Sequence, residues 1–215
     1  MYAKEGFGIG DVGVEAVAKA IRHMNCKVHT LKLFIDVHSD EVHSDMDEDE
    51  AEDEVEGPCG ALAEALSDVN CKLRTLCLTV FEGDDDNDQR WAEEFVVNLT
   101  VALRSANCGL RSLNIVGDNI SDSGIEYLAM ALQHANCKLR TLCLISDGGV
   151  QDGHTFLASA LRNSNCKLHT LHYGVCPDEL GGHDPATAME QILEGSRFDI
   201  EIKRASLCIK RTHGR

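Results

Sequence analysis

The sequence predicts one α/β domain over residues 1–215, built as a solenoid: a right-handed β-α superhelix bent into a horseshoe, with parallel strands on its concave face and helices on its convex face. A short line recurs five times along the chain. Each recurrence alternates with period two and is preceded by apolar residues three and four apart, so a strand and a helix repeat together. The acidic excess, finally, is confined to two runs that interrupt the repeat.

The recurring lines are NCKVHTLKLF from Asn25, NCKLRTLCLT from Asn70, NCGLRSLNIV from Asn107, NCKLRTLCLI from Asn136 and NCKLHTLHYG from Asn165, and they align without gaps. Their cysteines (Cys26, Cys71, Cys108, Cys137, Cys166) are spaced by 45, 37, 29 and 29 residues, so 29 is the basic period. The first two intervals exceed it by about the length of the acidic runs, which are therefore insertions at 40–56 and 82–88. A cysteine repeated at one position, with no CxxC pair in the chain, reads as a small buried hydrophobe and not as a disulfide or metal framework.

After each cysteine, leucines such as Leu139, Leu142 and Leu144 alternate with Thr141, Cys143 and Ile145. This predicts short strands near 28–34, 73–79, 110–116, 139–145 and 168–174. Upstream, the triplets Val17, Ala20, Ile21; Leu62, Ala65, Leu66; Leu99, Ala102, Leu103; Leu128, Ala131, Leu132; and Leu157, Ala160, Leu161 mark amphipathic helices whose alanines let layers approach closely. One such unit cannot cover its own apolar side, so neighbours stack. Strands need about 4.8 Å each and helices roughly 8 to 10 Å, and that mismatch bends the array.

The stretch LRSLNIVGDNISDSGIEYLAMAL from Leu110 resembles the LxxLxLxx(N/C)x(L/I)xxxGxxxLxxAL unit of ribonuclease-inhibitor-like leucine-rich repeats, which also occur in NLR-type immune receptors and in the GTPase-activating protein for Ran. The resemblance covers roughly Ile9 to Cys176. It implies an interaction scaffold that binds proteins on its concave face. The asparagine that such repeats ladder inside their turn is replaced here by Asp36, Phe81, Asp118, Asp147 and Cys176.

The ends depart from the repeat. Gly8 to Gly13 resembles the second half of a preceding unit, which leaves the first helix without a cap in front of it. Pro185 to Leu193 predicts a helix and the alternation of Phe198, Ile200 and Ile202 an edge strand, together a degenerate sixth unit over 184–204. The basic tail Lys203 to Arg215 is expected at the surface.

In strand phase the concave side chains form three rows. They are Thr30, Thr75, Ser112, Thr141, Thr170; then Lys32, Cys77, Asn114, Cys143, His172; then Phe34, Thr79, Val116, Ile145, Gly174. The first row suits hydrogen bonding along the sheet, whereas the varied, partly apolar second and third suit a protein partner. Lys27, Lys72, Lys138, Lys167, Arg74, Arg111 and Arg140 recur near the strand starts and predict a basic edge, opposite the acidic insertions. Equally, repeated lysines serve to keep turns soluble.

The first insertion, Asp40 to Glu56, holds 11 acidic residues and no basic one, and the rest of the −16 net charge comes from Glu82 to Asp88. Such runs are self-repelling solvated segments, or a negative field (Asp45, Asp47, Glu48, Asp49, Glu50, with Asp84, Asp85, Asp86) that draws a basic protein. Asp45, Asp47, Asp49, Asp53 and Glu56 fall at calcium-loop positions, but Glu50 occupies the place that needs glycine. His38 and His43 lack zinc-like spacing with cysteine. No GxSxG, HExxH, Walker A or GxGxxG motif occurs, so neither catalysis nor a cofactor is expected. The net charge disfavours nucleic acid. With no apolar run of membrane-spanning length and no secretory start, a cytoplasmic or nuclear protein is expected. The function expected is therefore protein binding; the alternatives are regulation of an enzyme, as by a GTPase activator or nuclease inhibitor, and kinship to an immune receptor's repeats.

Overall fold

In a computed structural model of the chain, residues 9–37, 58–82, 89–117, 120–146, 152–175, 198–203 and 206–211 are described. Helices α1 (Asp11–Arg22), α2 (Pro58–Ser67), α3 (Gln89–Arg104), α4 (Asp122–Leu132) and α5 (Gly153–Arg162) each precede a strand: β1 (Thr30–Val37), β2 (Thr75–Glu82), β3 (Ser112–Gly117), β4 (Thr141–Ser146) and β5 (Thr170–Val175). The five strands run parallel in chain order, and the hairpin β6 (Phe198–Lys203) and β7 (Ser206–Arg211) completes one seven-stranded sheet in the order β1-β2-β3-β4-β5-β7-β6. This is an α/β arrangement of alternating helices and parallel strands.

One continuous core lies between the two layers. Leu76, Leu78, Leu113, Ile115, Leu142, Leu144, Leu171 and Tyr173 supply the inner face of the sheet, and the Leu-Ala-Leu triplets of α2 to α5 supply the helical side. The alanines between successive helices, Ala65, Ala102, Ala131 and Ala160, are wholly buried. Their lack of bulk lets each helix pack on the next.

The Asn-Cys pair ends every helix in the same way. The carbonyls of His23, Asp68, Ser105, His134 and Asn163 accept the N–H of the cysteine three residues on. The side chains of those same five residues accept the N–H of the intervening asparagine. An acceptor side chain two residues before the asparagine is thus a further repeat signal, satisfying backbone groups that a helix end leaves open.

The strands begin two residues later than the alternation predicts. At the entries to β2, β3, β4 and β5 one carbonyl serves two N–H groups: Arg74 and Thr75 both donate to His29, Arg111 and Ser112 to Arg74, Arg140 and Thr141 to Arg111, and His169 and Thr170 to Arg140. The chain bends at this shared acceptor. Regular pairing starts only at the hydroxyl residue.

At the far end the structure differs from a sixth repeat unit. Residues 198–203 do form the outer strand, but β7 is inserted between β6 and β5, antiparallel to both. Part of the basic tail is therefore a strand of the sheet. Leu207 and Ile209 fall in register with Tyr173 and Leu171. The predicted helix over Pro185 to Leu193 lies outside the described residues.

Candidate binding face of the sheet

The three rows foreseen in strand phase fall in register. Thr30, Thr75, Ser112, Thr141 and Thr170 are successive partners; so are Lys32, Cys77, Asn114, Cys143 and His172, and Phe34, Thr79, Val116, Ile145 and Gly174. Adjacent rungs in such a sheet are about 4.8 Å apart, so each row presents a line of side chains roughly 20 Å long. The face opposite the helices carries them all.

Their exposure is uneven. Phe34 is 56 % exposed, Val116 and Ile145 are also exposed, and Lys32 and His172 stand out on the middle row. Cys77, Thr79, Asn114 and Cys143 are half-buried, and Gly174 is buried. Asn114 donates from Nδ2 to Cys77 Sγ at 3.3 Å, tying those two rungs together. Burial pushes the Cys143 thiol above its ordinary range, with Cys77, two strands away, adding to the effect. The face therefore offers apolar contact along one row and, beside it, two exposed bases flanking a polar centre.

The strand-start edge is basic. His29, Arg74, Arg111, Arg140 and His169 are linked through consecutive backbone bonds, and Arg74, Arg111 and Arg140 are exposed. The two histidines occupy the arginine position of the first and last units. Two of the repeated lysines bind backbone. Lys138 Nζ donates to the Ala106 carbonyl and Lys167 Nζ to the Ala135 carbonyl, each at 2.7 Å. They hold one unit to the end of the preceding helix.

Gly109 stands where the other units carry lysine, and Arg74 exploits the gap. Its Nη1 donates to the Gly109 carbonyl at 2.9 Å, and a Cβ on residue 109 would lie 1.8 Å from that nitrogen. Gly109→Lys is expected to swing the guanidinium away. Because the obstacle is the end of a flexible side chain, the loss should stay within about 1 kcal/mol in urea unfolding.

Neighbouring units are also clamped on the helix side. Ser121 Oγ accepts the Gly124 N–H and caps α4, while Asp122 Oδ1 accepts the N–H groups of Asp152 and Gly153 at the start of α5. A carboxylate at that helix start suits its positive end.

The acidic residues Asp45, Asp47, Glu48, Asp49, Glu50, Asp84, Asp85 and Asp86, with His38 and His43, lie outside the described residues. Asp118, Asp147 and Cys176 lie outside them too. Among the described residues no group of three or more His, Cys, Asp or Glu side chains could hold a metal ion, and no helix is long and apolar enough to cross a membrane. No protein-family model matches the chain, and no curated protein matches it.

Proposed function

We propose that the chain is a leucine-rich repeat scaffold of the ribonuclease-inhibitor type, curved into a horseshoe, whose open sheet face binds another protein without catalysing a reaction. The observation that carries this reading is the strict register of Lys32, Cys77, Asn114, Cys143, His172 and of Phe34, Thr79, Val116, Ile145. The first inner position is leucine in every unit (Leu31, Leu76, Leu113, Leu142, Leu171), whereas the second and third outer rows differ from unit to unit. A purely structural row would repeat its residue, as that inner row does. An exposed aromatic side chain, Phe34, in a partly apolar row suits the centre of a protein-binding patch. The acidic segment Asp40 to Glu56 adds long-range attraction for a basic partner, acting on association rate more than on intimate contact.

The test is a pull-down from native cell extract with three variants. Phe34→Asp combined with Ile145→Asp should abolish capture of a partner that the parent chain retains, whereas Met130→Asp, exposed on α4, should leave it unchanged. Deleting residues 40–56 should weaken capture only at low salt. A partner retained equally by the double variant would remove the sheet face from the mechanism.

A further inference from the structure

The strand-start edge gathers positive charge that its own acids do not match. The five segments leading into β1 to β5, residues 23–29, 68–74, 105–111, 134–140 and 163–169, contain seven lysine or arginine residues and a single acid, Asp68. That acid is engaged inside the scaffold. Its Oδ1 accepts the Asn70 N–H and its Oδ2 lies 3.5 Å from Arg22 Nε, whose guanidinium also meets Glu64. Arg74, Arg111 and Arg140 are exposed, and among the described residues none of them meets a carboxylate.

Register turns these arginines into a row. They stand one residue before Thr75, Ser112 and Thr141, which are successive partners, and the shared carbonyls tie each strand entry to the next. With rungs about 4.8 Å apart, three arginine positions fall within roughly 10 Å. The strand β7 continues the row. Because it runs antiparallel to β5, it ends at this edge, with Lys210 in register with Thr170 and Arg211 following; one acid, Asp199, is in register with Lys210. Solubility of the turns would explain lysines, two of which are held on backbone carbonyls. Arg74 likewise gives one nitrogen to Gly109, but Arg111 and Arg140 give theirs to no described residue.

Exposed guanidinium groups in a row are matched by carboxylates, which pair with them through two parallel hydrogen bonds. Phosphates would pair as well, but a nucleic-acid strand is held also by stacking on aromatic rings, and the five segments contain no Phe, Tyr or Trp. A long polyanion would also meet the −16 net charge of the chain, whereas a short acidic segment feels the edge within about 8 Å. We propose that the strand-start edge docks an acidic segment of a protein partner, its carboxylates lying along Arg74, Arg111 and Arg140. This rests on the protein-binding reading, since the arginine row adjoins the hydroxyl row of the open face. A partner drawn by the acidic run then carries an acidic stretch of its own on this side.

The probe is a fluorescent peptide of about twelve residues alternating Glu and Gly, titrated with the full chain at low and physiological salt and read by anisotropy. It has no apolar side chain, so it reads the edge and not the Phe34 row; its failure leaves the pull-down of the sheet face to stand or fall separately. Saturable binding that weakens with salt is expected. Arg111→Glu and Arg140→Glu alter exposed side chains and leave the shared backbone carbonyls in place, so the circular dichroism of the parent should persist. Each should weaken the probe about fivefold or more, because an attraction becomes a repulsion. Lys19→Glu makes the same charge change at an exposed position of α1 and should alter binding less than about twofold. Absence of binding at low salt overturns the proposal, as do equal losses for all three variants. A single-stranded DNA oligonucleotide of equal charge that binds more tightly than the peptide through the same arginines overturns it too.

Discussion

Leu142→Ala should cost the fold about 3 to 4 kcal/mol, read as a fall in the urea midpoint in dilute solution. Leu142 is wholly buried in β4, in register with Leu113 on one side and Leu171 on the other, which are buried as well. The void left by three lost carbon atoms is therefore walled by two strands that are themselves fixed by their own neighbours, and little collapse is possible. Leu31→Ala removes the same atoms at the equivalent rung of β1, where the side chain is only half-buried and, among the described residues, has a strand on one side. About 1 kcal/mol is expected there, because water already reaches the site. In a linear stack each unit is stabilised by its neighbours, so the difference between the two variants measures the contribution of one inter-unit interface. Equal losses would mean that stability is not distributed by nearest-neighbour contact.

The rows on the sheet face were legible because a parallel sheet built from one recurring strand line leaves no freedom of register. Once the Asn-Cys lines align, Lys32 must stand beside Cys77 and Cys77 beside Asn114, as found. The insertions did not disturb this, since they fall between a strand and the next helix. What escaped was whatever depends on side chains reaching between units. Nothing in the spacing indicates that Lys138 and Lys167 bind carbonyls of the preceding turn, because solvated lysines would give the same pattern. Likewise the replacement of lysine by Gly109 has no meaning in the sequence alone; only the structure puts Arg74 in the space. The hairpin is hidden for another reason. Ser206 to Arg211 contains only two large aliphatic residues, Leu207 and Ile209, before Lys210 and Arg211, and nothing in the repeat signals that β5 ends the parallel order. Antiparallel closure of a parallel stack follows from a change in chain direction, which the period of alternation does not encode.

The fold should lose stability as pH rises above 9, and the cause is the ladder of thiols that the Asn-Cys repeat buries. Burial pushes Cys137 from 9.0 up to about 11, against the opposing pull of the Leu139 N–H, and the adjoining thiols Cys166 and Cys108 raise it further. Cys71, Cys108 and Cys143 are raised for the same first reason, and Tyr173 is raised by burial with a contribution from the Asp122 carboxylate. Each of these groups is neutral in the folded chain at a pH where the unfolded chain has already released its proton. Below pH 9 both states hold the proton and the contribution is complete; between 9 and about 11 the unfolded state is favoured progressively, so stability falls with a slope set by the difference in bound protons. Cys137 alone accounts for about 2 to 3 kcal/mol of that loss by the time pH reaches its folded value. Urea midpoints measured at steps from pH 8 upward should decline, and Cys137→Ala should start lower but decline less steeply. A parent chain whose midpoint is flat across this window would show that the thiols ionise without opening the stack. That outcome would contradict their place in the core, where Cys71, Cys108, Cys137 and Cys166 are all buried in the single cluster that also holds the leucines.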